Sequence, residues 1–229
     1  MACSVIELRQ YTLRPGRRDV LIDLFDREFI ESQEDLGMRV IGQFRVLDEP
    51  DQFFWVRGFT DMQERDASLR AFYGGPVWRE HRDAANATMV DSDNVLLLRP
   101  SRPDSGFDLV QTERPPLGRD RARDRLFVAN IFYFREPIEH KFAEHFERVM
   151  LPEILRTGMD VRAYFVSEHS ANTFPALPVR EDENAFVWFG VFSSGAAYKD
   201  QPVAGPFADA MRRPPEIKRL APTSRSLLR

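Results

Sequence analysis

The sequence predicts an α+β protein built from two tandem βαββαβ units. Three observations carry this. The chain has 229 residues, which suits two units of roughly 100 each. Sliding it by 121 residues sets Leu21 on Phe142, Phe25 on Phe146, Gly37-Met38 on Gly158-Met159 and Phe44 on Phe165. In each half, segments of strand period alternate with segments of helical period. A repeat this long marks a duplicated domain; solenoid units run to roughly 20–50 residues.

Each element has its own reason. Val5 to Leu13 alternates as a strand, so Ile6 and Leu8 share one face and Glu7, Arg9 and Tyr11 the other. Pro15-Gly16 is a turn signal. A helix is expected from about Arg17 to Asp35, with Leu21, Leu24, Phe25 and Phe29 at helical spacing. Gly37 suits the left-handed residue that ends it. Arg39–Val46 and Gln52–Phe59 read as a hairpin around an acidic, proline-containing turn. Met62 to Ala87 reads as helical, broken at Gly74-Gly75, with Pro76 opening the next helix. Asn94 to Arg99 is the fourth strand. The order is the ferredoxin-like split pattern, and it places residues 1–100 in a first domain.

Residues 101–125 carry prolines and charges without period and read as a surface linker, with Arg114 to Arg125 solvated. The second domain, 126–229, opens with the strand Leu126–Phe134. A helix follows from about Ile138, which Pro152 is expected to kink or end. Gly158 restarts the strands. Gly205-Pro206 matches Gly75-Pro76, Met211 falls on His81, and Leu227-Leu228-Arg229 falls on Leu97-Leu98-Arg99 as the last strand. The second hairpin loop, about Glu168 to Asn184, is longer than the first; it reads as a lid over a pocket or as a plain insertion.

A net charge of −4 gives no reason to expect nucleic acid as a partner. The single Cys3 excludes a disulfide framework. No apolar run is long enough for a membrane span and no secretory leader is legible, so a cytoplasmic protein is expected. Dinucleotide, P-loop and serine-elbow motifs are absent, and no cofactor is assigned.

The run Ile6-Glu7-Leu8-Arg9-x-Tyr11-x-Leu13-x-Pro15-Gly16 resembles the NIPSNAP family. So do Phe53-Phe54-Trp55-Val56-Arg57-Gly58-Phe59, Tyr73-x-x-Pro76-x-Trp78 and Asn94-x-Leu96-x-Leu98-Arg99-Pro100. The second half departs at the signature strand, where Val128, Asn130 and Phe132 replace Glu7, Arg9 and Tyr11. The resemblance implies a dimeric-type α+β barrel, two sheets packed around a cavity. It would close within this chain or across a homodimer. The wider superfamily includes cofactor-independent monooxygenases, lactone isomerases and haem enzymes. The chain is therefore expected to bind a small organic ligand, with activity of the monooxygenase or isomerase type on an aromatic or polyketide-like compound. The alternative is a non-catalytic interaction protein.

The candidate site is the Glu7, Arg9 and Tyr11 face, expected to look into the cavity while Ile6 and Leu8 pack helices. Arg9 would bind a carboxylate, and Tyr11 or Glu7 would move a proton. Trp55, Arg57 and Phe59 would complete an aromatic wall with a further positive group. The plainer reading is a Glu7–Arg9 pair that satisfies itself. His81 is a third acid–base candidate or a solvated helix histidine. His140 and Glu144 share a helix face but make no metal site by themselves. His145 lies on the core stripe of its helix, as a haem ligand or a hydrogen-bonded core residue. His169 falls in the long loop.

Overall fold

The computed structural model describes residues 3–110, 112–118, 125–192 and 205–229. In the first half, strand β1 (Val5–Leu13) is followed by α1 (Arg18–Leu24), a π-helical segment (Phe25–Phe29) and α2 (Ile30–Glu34). Strands β2 (Arg39–Val46) and β3 (Gln52–Phe59), helices α3 (Met62–Tyr73) and α4 (Pro76–Asn86) and strand β4 (Met89–Pro100) complete it. The second half has β5 (Leu126–Phe134), α5 (Glu139–His145), a π-helical segment (Phe146–Met150) and α6 (Leu151–Arg156). Then come β6 (Asp160–Ser167), β7 (Asn184–Phe192), a 3₁₀ turn (Gly205–Ala210) and β8 (Met211–Pro222).

Eight antiparallel strands close into one barrel in the order β1-β3-β2-β8-β5-β7-β6-β4. Two seams join the halves. At one, Phe44, Arg45 and Val46 pair with Pro222, Ala221 and Leu220. At the other, Leu98, Arg99 and Pro100 pair with Ser167, Val166 and Phe165. The barrel therefore closes within the chain. Gly37 (φ 91°) and Gly158 (φ 82°) take the left-handed conformation at the equivalent turns before β2 and β6, as glycine does at helix ends. Among the described residues no helix is long and apolar enough to cross a membrane.

The strand faces are the reverse of the sequence expectation. Ile6 and Leu8 point into the barrel, where they meet Phe44, Phe54, Phe127, Ala129, Phe165 and Phe189 in an apolar core drawn from both halves. Glu7, Arg9 and Tyr11 lie on the opposite face, towards the helices. There Val5, Tyr11, Phe53, Trp55 and Phe59 pack with Leu21, Phe25, Phe29, Leu69 and Phe72. The physical reason is pairing: the helix side supplies Arg65 from α3 and Gln33 from α2 as partners for the buried charges, whereas the barrel core around Ile6 and Leu8 is apolar. The face with an ion network is instead the one covered by polar-capable helices.

Four further expectations change. β4 begins at Met89 rather than Asn94. The last strand is Met211–Pro222, paired with β5, so Leu227–Arg229 is not the counterpart of Leu97–Arg99. Met211 opens this strand and is no helical equivalent of His81. Pro152 does not end its helix; the helical run continues past it to Arg156, directly after the π-helical segment Phe146–Met150. The π segments Phe25–Phe29 and Phe146–Met150 stand at the same place in both halves, so the first cannot be caused by proline.

The segment after β4 is packed. Ser105 exchanges hydrogen bonds with the Tyr164 backbone, and Phe107 closes on Phe165 and Phe189, ring centroids 5.1 Å from each. Arg114 is not solvated. It bonds Glu34 at 2.7 Å and the backbone oxygens of Val40 and Arg225. Residues 119–124 of that stretch lie outside the described ones.

The tail after β8 holds the first π segment. Arg225 donates to the Asp26 backbone oxygen at 2.5 Å and pairs with Glu31. Burial pushes the Asp26 carboxyl up to about 6, with Arg225 and Ser224 offsetting only part of it. Its folded form thus holds a proton more tightly than the unfolded chain, whose ordinary value is 3.8. That favours the folded state below about pH 4, and the advantage is lost as pH rises through about 6. Asp26→Asn should remove the effect. Denaturation of both proteins at pH 4 and pH 7.5 should show their stability difference moving on the order of 2–3 kcal/mol in the variant's favour at the higher pH. Closure within the chain predicts a second outcome. Native mass spectrometry should give a 26.6 kDa monomer, because no barrel strand is left open for a second copy.

Candidate functional site

Glu7 is the centre of the site. Its Oε2 takes Arg9 Nη1 at 2.7 Å and Arg57 Nη2 at 2.7 Å, and its Oε1 takes Arg65 Nε at 2.7 Å. All four side chains are 0% exposed. β1 supplies Glu7 and Arg9, β3 supplies Arg57, and α3 lays Arg65 across them. The register makes this possible: Glu7 pairs with Arg57 and Arg9 with Trp55 across the β1–β3 ladder. Arg57 also donates to Gln33 Oε1 at 2.9 Å. Arg65 Nη1 donates to Asn172 Oδ1 at 3.0 Å and Thr173 Oγ1 at 3.1 Å.

Three guanidinium groups against one carboxylate leave two positive charges in excess among these groups. Burial pushes the Glu7 carboxyl up, but attraction from Arg57, Arg9 and Arg65 outweighs it and holds the group far below the usual carboxylate range. Arg9 Nη2 and Arg65 Nη2 are buried donors without a hydrogen-bond partner, a costly state that an acceptor would relieve. Aromatic rings shelter the cations. Trp55 sits between Arg9 and Arg57, with guanidinium carbons 5.5 and 5.1 Å from its ring centre, and Phe59 lies 5.6 Å from Arg57.

Tyr11 connects this cluster to open space. Arg9 Nε donates to the Tyr11 oxygen at 3.0 Å. Burial pushes the phenol up and Arg9 offsets only part of this, so at neutral pH the hydroxyl keeps its proton. With its oxygen occupied by Arg9, that proton is free to point elsewhere. Tyr11 is also a wall of a pocket of about 270 Å³, with Tyr73, Trp78, Asn86, Phe174 and Leu177. Typical ligand pockets hold about 300–1,000 Å³, so this one suits a single small aromatic molecule. A second cavity of about 220 Å³ at the barrel mouth is lined by Ile6, Ile41 and Phe107 and by Asp104 and Asp108, without a convergent set of donors.

The structure thus brings Glu7, Arg9, Tyr11, Trp55, Arg57 and Phe59 together, with Trp55 and Phe59 behind the pocket wall. His81 is not in the group; its Nε2 lies 3.5 Å from Glu28 on the helix surface. His145 is half-buried beside Phe142 and Phe207, ring centroids 6.3 and 5.3 Å away, and is not a core residue. His140 contacts Arg99 at 2.9 Å and His169 contacts Glu139 at 2.6 Å. Among the described residues no three His, Cys, Asp or Glu are placed to hold a metal ion.

The long loop covers this pocket, through Phe174, Ala176 and Leu177. Sequence reasoning missed Arg65, Gln33, Tyr73 and Asn172. A signal existed for the first two. Arg65 stands on the buried stripe of α3 with Leu69 and Phe72, and Gln33 is buried on α2 beside Ile30. A polar group on an apolar stripe has a partner to find. In the second half the equivalents are Val128, Asn130, Phe132 and, for Arg57, Gly190. A β-carbon at Gly190 would collide with Met159, which fills the place of the guanidinium.

Fold and site define an α+β barrel protein with one buried arginine cluster beside a small aromatic pocket. Residues 6–102 match the NIPSNAP family model. A NIPSNAP-like domain protein from Burkholderia xenovorans is 25% identical over 46% of this chain and 91% of its own, with a TM-score of 0.42. Two other solved structures share the fold over nearly the whole chain. A protein from Fusobacterium nucleatum designated a candidate monooxygenase has a TM-score of 0.61 at 7% identity, covering 96% of this chain and 93% of its own. An anthrone oxidase-like protein has a TM-score of 0.58 at 11% identity, covering 97% and 92%. No curated protein matches the chain.

The cluster makes a direct prediction. Glu7→Gln leaves three buried cations without a counter-ion and should cost at least about 3–5 kcal/mol in urea denaturation. Replacing Arg9 by Met in the same protein should recover part of the loss. A cost below about 1 kcal/mol for the single change would show that Glu7 does not hold the site together.

Proposed function

We propose that this protein binds a small aromatic or polyketide-like compound and acts on it as a cofactor-independent enzyme of the monooxygenase or isomerase type. On this reading the chain is a tandem pair of ferredoxin-like units in which only the first keeps the Glu7, Arg9 and Tyr11 set. One observation carries the reading: a phenol on the pocket wall whose oxygen is held by a guanidinium from a buried cluster with excess positive charge. Such a group favours negative charge developing on a ligand oxygen. A hydroxyaromatic or enolisable ligand would place its oxygen at the Tyr11 hydroxyl, with Tyr73 and Trp78 against its rings. The anion formed on losing a proton would then be stabilised by Arg9 through Tyr11.

Glu7 serves as counter-ion rather than proton carrier, because three arginines hold its negative charge. For an anthrone-type substrate the overall change would be CH₂ + O₂ → C=O + H₂O. One oxygen atom goes to carbon, the other leaves as water with both hydrogens, and the carbon supplies all the electrons. An isomerase would use the same stabilised anion and return the proton to a different carbon.

A second reading draws on the barrel interior, which is filled by apolar side chains. It makes the protein a non-catalytic interaction partner. The two are separated by titrating 1,8-dihydroxyanthrone while following tryptophan fluorescence and dissolved oxygen. The enzyme reading expects saturable binding, oxygen uptake matching ligand consumed, and an approximately tenfold weaker affinity for Tyr11→Phe, the worth of about one hydrogen bond. Binding indifferent to Tyr11→Phe would remove the site assignment. No binding and no uptake would favour the interaction reading.

A further inference from the structure

The two β-hairpins of the chain differ in one respect that bears on the pocket. The β2–β3 connection is residues 47–51, whereas its counterpart between β6 and β7 is residues 168–183. The longer loop belongs to the second half by sequence, yet it crosses the seam and covers the pocket of the first half. Phe174, Ala176 and Leu177 form part of the pocket wall, and Phe174 and Leu177 pack against the first-half helical core.

The loop is built around Asn172. Its Oδ1 accepts from Phe174 N at 3.1 Å and from Arg65 Nη1 at 3.0 Å. Its Nδ2 donates to Leu177 O at 3.0 Å, and its backbone N–H donates to Glu181 at 2.7 Å. One side chain thus shapes the turn that carries Phe174 and ties that turn to the buried arginine cluster. Two further ties hold the loop down. Thr173 Oγ1 donates to Met62 O at 3.3 Å, and Arg180 N donates to Val95 O at 2.9 Å. Phe174 ends against α3, its ring 5.8 Å from that of Tyr73 and tilted by only 20°.

What the loop contributes to the wall is shape without chemistry. Phe174, Ala176 and Leu177 carry no titratable or hydrogen-bonding side chain, whereas the rest of the lining holds Tyr11, Tyr73, Asn86 and Ser92. The wall with donors orients a ligand, and the wall without them limits its size. A hydrophobic wall of this kind discriminates by steric fit. We propose that residues 168–183 are the specificity-determining wall of the first-half pocket, that Phe174 sets the largest ring system admitted, and that Asn172 positions Phe174 through Arg65. The ligands selected are flat hydroxyaromatics of two or three fused rings. This rests on the pocket reading above, and it adds that a loop of the second half decides what the first half accepts.

The test uses two fluorescent phenols of different size, 2-naphthol and 1-hydroxypyrene, titrated into the full-length protein. The control variant Asn86→Trp adds bulk to the pocket lining outside the loop. Wild type should bind 2-naphthol the more tightly. Phe174→Ala should shift the affinity ratio towards 1-hydroxypyrene by at least tenfold, and Asn172→Ala should shift it the same way by a smaller factor. Phe174→Leu serves if the alanine variant does not fold, with a reduced shift expected. Suppose Asn86→Trp blocks both phenols but the loop variants leave the ratio unchanged. Then the loop proposal is overturned and the pocket stands. If neither phenol binds wild type, or binding survives Asn86→Trp, the pocket reading fails and the loop proposal falls with it.

Discussion

Everything on the helix side of the first half depends on one carboxylate. Glu7 accepts from three arginines that come from two strands and a helix, so it fixes how α3 sits on the sheet. Charges this deep are tolerated only when paired and hydrogen-bonded. The pairing here is incomplete by two positive charges, and the excess is what gives the site a chemical direction. It explains why Tyr11 is held by its oxygen and presents a proton. It also explains why Trp55 lies between two guanidinium groups instead of on a ligand.

The closed sheet sets the second constraint. Both halves contribute strands to one closed sheet, and their inward faces merge into a single apolar core. That core is apolar in both halves. The outward faces differ, each packed against helices of its own half. One carries Glu7, Arg9, Tyr11 and Arg57; the other carries Val128, Asn130, Phe132 and Gly190, with Met159 filling the gap. Asymmetry extends to the loops, for the second hairpin reaches over the first half's pocket.

Much of the fold was legible. Strands β1, β2, β3 and β5 and the break between α3 and α4 follow from alternation, turn residues and the proline at the start of a helix. The direction of the β1 faces was not. Ile6 and Leu8 are equally good against helices or inside a barrel, and β5 is apolar on both faces apart from Asn130, so its pattern could not choose. The last strand was misplaced because Leu227-Leu228-Arg229 looks like Leu97-Leu98-Arg99. Pairing with β5 instead selects Met211–Pro222, a segment in which the adjacent Pro214 and Pro215 hide the strand character.

The same division holds for the site. Sequence alone singled out Glu7, Arg9, Tyr11, Trp55, Arg57 and Phe59, because charge and aromaticity on a strand must be accounted for wherever the strand goes. It also shows Val128, Asn130 and Phe132 in the second half where the first has Glu7, Arg9 and Tyr11. Tertiary structure decided that these residues face helices, that Arg65 completes the ion cluster, and that Phe174 and Leu177 wall the pocket. These residues are separated by more than a hundred positions from Tyr11 and Arg65. Proximity across such distances is set by barrel closure, a property of the folded chain that no local period encodes.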